Sequence, residues 1–565
     1  MRLERMERDF DAIVIGSGMT GGWAAKELTE LGLRTLVLEA GGPVDPERDS
    51  VEHVPVWEMP FRGLGDRRAI EARQPIQRNS VSFDELSRRF WADDVENPYT
   101  TPSDKPFYWF RARHVGGKSI TWGRQVYRWS DLDFEANLRE GVAVDWPIRY
   151  ADIAPWYDRV ERFIGVSGQP EGLPQLPDGP FLPPMQLNCV ERHVRDRMRE
   201  RFGRDRVLTI GRVAVLTVAH QGRAPCHYCG PCERGCITRS YFSSVNATLP
   251  AAAATGRLTL RPYSIVHGLI YDERAGRLVG ARVIDARTRE HVEFTARVVF
   301  LCASALESAR ILLNSRSRTF PDGLANSSGQ VGRNIMDHIK WAGAQGVFDG
   351  WTDRYVIGAR PNGIYVPRFR NVGTRHSDFL RGYQFQGGAR RLTWSDRIRE
   401  PGIGAELKRR LSTPGPWVMG FGGFGEMLPR EENRCTLHPT KVDAWGIPAL
   451  HIECTWGPNE LALHRDMTAT AVELLEAAGA KEIRPDRRVS VPGGTNHEMG
   501  TARMGRDPKT SVLNAHNQAH DVPNLFVTDG ACMTSSANQN PSLTYMALTA
   551  RACHYAVQEM KRGNL

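Results

Sequence analysis

Asp9-Phe10-Asp11-Ala12-Ile13-Val14-Ile15-Gly16-Ser17-Gly18-Met19-Thr20-Gly21-Gly22 is the stretch that decides the fold. Residues 9–15 form a short apolar run, the pattern of a parallel strand buried on both faces. A helical pattern starts at Trp23-Ala24-Ala25-Lys26-Glu27-Leu28, and a second strand, Arg34-Thr35-Leu36-Val37-Leu38, ends at Glu39. This is GxGxxG between a strand and a helix. Gly16 suits the tight turn, Gly18 a backbone that approaches a pyrophosphate, and Gly21 close packing of helix on strand. The helix N-terminus offers free N–H groups to the phosphates. Glu39 is placed to accept from a ribose 2′-hydroxyl, which disfavours a 2′-phosphate. Together these predict a dinucleotide-binding α/β domain, without separating NAD from FAD.

The rest of the composition narrows the class. The chain has 565 residues, 41% hydrophobic and 25% charged, which is globular and long enough for several domain-sized units. Lys and Arg total 74 against 65 Asp and Glu, with only nine Lys. The basic residues are scattered rather than gathered in a stripe with interleaved aromatics, which excludes a nucleic-acid binder. No apolar run is long enough for a transmembrane helix. The start, MRLERMERDFDAIVIG, runs from charges into a strand with no signal-peptide core. The expected location is therefore cytoplasmic, with periplasmic co-export on a small subunit as the alternative.

Of ten Cys, six are dispersed and four lie within eleven residues, Cys226, Cys229, Cys232 and Cys236. The spacing CxxCxxCxxxC with Gly and Pro spacers suits one loop wrapping an iron–sulfur cluster. It predicts a [3Fe–4S] cluster if three thiolates ligate, or [4Fe–4S] if Cys236 also does. A structural zinc site and reduced, unliganded thiols are the alternatives.

Near the other end, Asn496-His497-Glu498-Met499-Gly500-Thr501 precedes a strand ending Thr528-Asp529-Gly530; Asn538-Gln539-Asn540-Pro541 then leads into an Ala-rich helix. With the N-terminal loop, Glu39-Ala40-Gly41-Gly42 and Val115-Gly116-Gly117-Lys118-Ser119, these motifs resemble the glucose-methanol-choline (GMC) flavin oxidoreductases. Within them the chain looks most like bacterial sugar dehydrogenases of the glucoside 3-dehydrogenase and gluconate 2-dehydrogenase flavoprotein type. Pyranose oxidases are more distant.

The resemblance implies an α/β fold, α+β overall. A Rossmann-like FAD domain would be assembled from residues 1–336 and 482–565, with an insertion at about 43–106 and the cysteine loop at 226–236. A mixed-sheet substrate domain would span 337–481. It implies FAD, held by Gly16, Gly18, Gly21, Glu39, Gly116, Gly117, Ser119, Thr121, Asp529 and Gly530. A covalently tethering His of pyranose oxidases is matched here by Thr121, so the FAD is expected to be non-covalent. His497 would be the base and Asn540 its partner; a cap on the following helix is the alternative role for Asn540, and the two are compatible.

The implied function is oxidation of a secondary ring hydroxyl of a sugar, at C3 of a glucoside or hexose. Electrons would leave through the cluster to a cytochrome or another carrier, with a small subunit as partner. The rivals are an oxidase using O₂, whose cysteine loop holds zinc or nothing, and a non-catalytic flavin-containing electron-transfer subunit.

Overall fold

In the computed structural model, residues 10–565 are described, apart from 357 and 399. Residues 1–9, which enter the signal-peptide reading, lie outside them. The apolar run folds as expected: Phe10–Ile15 is the central strand of a seven-stranded sheet, and its last four residues are buried. It pairs in parallel with Thr35–Leu38 on one side and with His291–Leu301 on the other. Leu525–Val527 joins the last of these, placing Phe526 opposite Phe300. Three distant stretches of chain thus build one parallel layer, as expected for a discontinuous nucleotide domain.

Leu258–Arg261 departs from its expected pairing. Its nearness to Ser264–Asp272 suggests an antiparallel pair, but it adds in parallel to Thr35–Leu38. Ser264–Asp272 instead pairs antiparallel with Arg277–Asp285, which continues onto the outer end of His291–Leu301. The turn at Pro262-Tyr263, with Tyr263 at φ +57°, redirects the chain between the two pairings. The first sheet is therefore mixed.

The second seven-stranded sheet is antiparallel throughout. Its order is Lys481–Asp486, Gly343–Phe348, Trp417–Glu426, Tyr383–Arg391, Ile364–Val366 and Thr209–Ile210, with His338–Ile339 paired to the end of Trp417–Glu426. It draws on residues outside 337–481, taking an edge strand at 209–210 and another that runs to 486. The hairpin Arg434–Val442 with Pro448–Glu453 packs instead into the core of the nucleotide layer, through Cys435, Leu450 and Ile452. Helix Pro458–Ala477 buries Leu463, Met467 and Leu474 against the second sheet. That helix comes close because the sheet carries glycine beneath it: a Cβ at Gly423 would stand 2.5 Å from the Met467 sulfur.

Among the described residues no helix is long and apolar enough to cross a membrane. The functional cavity lies where the C-terminal ends of the parallel strands, at Ile15 and Leu38, face Gln386 and Phe424 of the second sheet. Ligands of open α/β sheets bind at the same place.

Candidate active site

The cavity has a volume of about 430 Å³ and runs from Gly16 and Glu39 at one end to His497 and Asn540 at the other. At the nucleotide end the loop has the expected shape. Gly16 has φ +92°, and a Cβ there would stand 2.6 Å from the Cys302 carbonyl oxygen. A Cβ at Gly21 would stand 1.9 Å from the Gly16 carbonyl oxygen, so the helix can sit on the strand only if this residue has no side chain. Gly18 is the N-cap of helix Met19–Glu30 and supplies no side-chain cap, leaving the first N–H groups available to an anion.

Glu39 is buried, and burial raises its pKa against the lowering effect of bonds from Ser17 and Gly41. Its Oε2 accepts from Ser17 N (3.1 Å) and Oγ (2.6 Å), and its Oε1 from Gly41 N (2.9 Å). The carboxylate therefore holds the loop together, and Oε1 keeps a lone pair for a ligand while both lone pairs of Oε2 are taken by Ser17. Asp529 accepts from Ser308 Oγ at 2.5 Å and from Ala531 N at 2.9 Å, and burial pushes its pKa up to about 6.

Gly116 (φ +94°) and Gly117 bring a second loop against the first, and a Cβ at Gly117 would lie 3.1 Å from Gly18 Cα. Ser119 is committed to that loop, donating to Gly116 O and accepting from Ser244 N. Thr121 is buried in the cavity wall, and Gly530 lines it beside Asp529. Val81, Ser82 and Trp91 of the 43–106 insertion reach the same wall.

At the other end the hydrogen bonds assign the protons. His338 is fully buried, and its Nε2 faces two carbonyl oxygens, Ala537 O at 3.0 Å and Ser536 O at 3.3 Å. A carbonyl only accepts, so Nε2 carries the hydrogen. Burial holds His338 below the ordinary histidine pKa and keeps the ring neutral, which leaves its Nδ1 a bare acceptor. The His497 Nδ1 lies 2.8 Å away and must therefore donate to it. The proton of His497 is thus on Nδ1, and its Nε2 lone pair faces the cavity. Burial first, and then the fields of His338, Lys340 and Lys118, hold His497 well below its ordinary pKa.

Asn540 Nδ2 lies 3.4 Å from that lone pair. The amide is oriented from behind, because Asn540 Oδ1 accepts from Gln386 Nε2 at 2.6 Å and from Gln384 Nε2 at 3.4 Å. Asn540 does not cap the C-terminal helix: Ser542–Arg562 has Pro541 at its N-cap and no side-chain cap. His497 and Asn540 are brought together as expected. His338, Gln384 and Gln386 were missed, because their partners lie 154 to 199 residues away and no local pattern marks them.

Three buried polar atoms on this wall have no protein partner: Glu498 Oε1, Asn496 Oδ1 and Tyr545 Oη. Orphans of this kind are otherwise rare in a core. A glycine cradle at a helix N-terminus and unpaired polar atoms along one continuous cavity fit a bound dinucleotide.

The cysteine loop does not assemble as expected. Cys232 and Cys236 are buried, Cys226 is half-buried and Cys229 is exposed. Among the described residues no group of three or more Cys, His, Asp or Glu is gathered tightly enough to hold a metal ion. As free thiols, Cys226, Cys229 and Cys232 are raised by burial first, Cys229 to about 11, and the other sulfurs of the loop add to the rise. The Cys226 sulfur accepts from Tyr228 N, and the Cys236 sulfur lies beside the Thr238 hydroxyl. The [3Fe–4S] or [4Fe–4S] site expected at Cys226, Cys229, Cys232 and Cys236 is therefore not supported among the described residues, although the four sulfurs act on one another electrostatically. Two of its thiols are drawn into the apolar core instead.

The fold and cavity define a dinucleotide-dependent oxidoreductase. Residues 10–340 and 429–549 match the N- and C-terminal family models of GMC oxidoreductase. The chain is 30% identical to a 2-methyl-1,2-propanediol dehydrogenase of Mycolicibacterium austroafricanum, over 96% of this chain and 94% of that one. It is 25% identical to the fructose dehydrogenase large subunit of Gluconobacter japonicus, over 98% of both. Among solved structures, the pyridoxine 4-oxidase of Mesorbium loti superposes with a TM-score of 0.58 at 17% identity, over 96% of this chain and 98% of that one. The chain belongs to the GMC oxidoreductases, FAD enzymes that act on the CH–OH groups of alcohols and sugars.

Proposed function

We propose that the chain is an FAD-dependent dehydrogenase that oxidises a secondary ring hydroxyl of a carbohydrate to a ketone, at C3 of a glucoside or hexose. The observation that carries this reading is the His338–His497–Asn540 array, which aims one bare imidazole nitrogen and one amide N–H at the same point. A hydroxyl between them donates to His497 Nε2 while its oxygen accepts from Asn540 Nδ2. This fixes the direction of the neighbouring C–H bond. FAD, held by the Gly16–Gly21 loop and the Gly116–Gly117 loop, supplies the hydride acceptor.

As the hydroxyl proton passes to Nε2, His497 becomes an imidazolium whose Nδ1–H still donates to His338. His338 itself stays neutral in this step, because its burial disfavours a charged ring. The hydroxyl proton thus comes to rest on His497, and the neighbouring C–H hydride would go to the acceptor that bound FAD would supply.

The acceptor in this reading is a one-electron carrier such as a cytochrome, and a small subunit accompanies the chain. The fructose dehydrogenase relative, described as a large subunit, supports a multi-subunit assembly. No step is routed through the cysteine loop. The test is anaerobic mixing of the holoenzyme with sugars while the flavin spectrum is followed. Wild type should bleach. His497→Ala should keep its flavin but bleach about 10²–10⁴-fold more slowly. Exposing the reduced enzyme to O₂ or to a cytochrome then separates a dehydrogenase from an oxidase. A flavin that no carbohydrate reduces would end this reading.

A further inference from the structure

Two lysines line the cavity near the base, and they differ in one respect. Lys118 Nζ pairs with Glu498 Oε2 at 2.8 Å. Lys340 is half-buried in the wall, two residues after His338, and no carboxylate pairs with it among the described residues. The acidic group that acts on it most is Asp337, whose two oxygens are engaged by Thr495: one by the hydroxyl, the other by Thr495 N at 3.3 Å. Burial pulls Lys340 below the ordinary lysine pKa, as expected of an ammonium that has lost water without gaining an anion. Its charge reaches the reacting end of the cavity, since it helps to depress His497.

A second observation lies outside the cavity. The adjoining groove shares Gln386 with it and is walled by Arg390, Arg484, Arg487 and Arg488 against a single lining carboxylate, Asp486. Asp486 is bound to Arg488 at 2.6 Å, while Asp396 and Glu482 pair with Arg390 and Arg484 from outside the lining. The Arg488 guanidinium and the Lys340 ammonium lie 5.1 and 5.2 Å from the centroid of one ring, Trp341, so basic groups continue from the groove to the cavity wall. Of these four, Arg487 has no carboxylate partner among the described residues, and an uncompensated cation beside a cleft favours anionic ligands.

We infer that Lys340 is a substrate-binding residue and that the substrate is a polyhydroxylated compound bearing an anionic group, a carboxylate or a phosphate, which the ammonium takes while His497 and Asn540 hold the reacting hydroxyl. This rests on the dehydrogenase reading above. Oriented from both ends, the substrate presents one particular C–H bond, and a neutral sugar lacks the second anchor.

The experiment compares anaerobic flavin reduction of the holoenzyme by D-gluconate, D-glucuronate and glucose 6-phosphate with that by glucose and methyl glucoside. The anionic probes should reduce the flavin with the higher kcat/KM, and the preference should shrink as salt is raised. Whether the carboxylates or the phosphate lead identifies the anion. Within each variant, the ratio of anionic to neutral kcat/KM should fall about ten- to a hundredfold in Lys340→Met, the range expected for one lost charge-assisted bond. Lys340→Arg should retain most of it, and Lys340→Glu should reverse it. Neutral sugars that match the anionic ones in wild type would overturn this inference alone. If no carbohydrate of either kind reduces the flavin, the dehydrogenase reading falls, and this inference with it.

Discussion

Removing His338 tests the proton assignment directly. The ring is fully buried, donates from Nε2 to Ala537 O at 3.0 Å and accepts at Nδ1 from His497 at 2.8 Å. In His338→Leu two groups lose their partner at once, the Ala537 carbonyl and the His497 Nδ1–H. An unsatisfied buried polar group costs about 1–3 kcal/mol. His497 escapes its share by moving the hydrogen to Nε2, where water or the substrate oxygen can accept it. The tautomer so favoured has no lone pair for the substrate hydroxyl. A bias of about 1.4–2.8 kcal/mol toward it lowers the competent fraction roughly ten- to a hundredfold. The assay is the anaerobic stopped-flow rate of flavin reduction at saturating sugar, with flavin content measured alongside. His338→Gln should recover much of the rate, since its amide can donate to the carbonyl and accept from Nδ1. A His338→Leu enzyme that binds flavin and reduces it at the wild-type rate would refute the assignment.

Other outcomes follow from the same site. The active form of His497 is neutral and its pKa is lowered, by burial first and then by His338, Lys340 and Lys118, while Glu498 offsets Lys118. The rate of flavin reduction should therefore stay flat as pH falls through 6.5 and drop only below it; a midpoint at or above 6.5 would contradict the burial argument. Asn540→Ala removes the amide N–H but leaves the base, so it should slow flavin reduction by about one to two orders of magnitude and spare flavin binding; unchanged reduction would show that the amide does not touch substrate. Thr121 offers no ring nitrogen for a tether, so acid or heat should release the flavin into the supernatant; colour retained in the precipitate would show a covalent bond elsewhere. Because no metal-holding group forms at residues 226–236 among the described residues, Cys229→Ser should leave the rate of flavin reduction by sugar unchanged, with iron and zinc measured in anaerobically purified wild type; stoichiometric iron would show that the loop rearranges around a cluster.

The nucleotide end was legible in the chain because its logic is local. A strand, a turn, a helix and an acid follow one another within thirty residues, and each glycine answers to a neighbour only a few positions away or to the next element. His497 and Asn540 were legible only through resemblance to a family, since spacing alone does not mark a histidine as a base.

What the amino-acid sequence determined by itself is therefore the nucleotide loop, while the class of chemistry and the candidate pair His497 and Asn540 came from the resemblance of its motifs to a family. The tertiary structure decided everything that depends on which distant atoms meet. Proximity in the chain favours pairing Leu258–Arg261 with Ser264–Asp272, yet it extends the parallel sheet, whose neighbouring strand Thr35–Leu38 offers an unpaired edge. The cysteine spacing permits a cluster, but burial drew Cys232 and Cys236 into the core and left Cys229 in solvent. The base is set by a chain of partners from Ala537 through His338 to His497, and the amide by Gln386 through Asn540. Hydrogen-bond direction is a property of donor and acceptor at about 3 Å, not of position along the chain. Only the folded molecule brings residues 338, 386, 497, 537 and 540 within that distance.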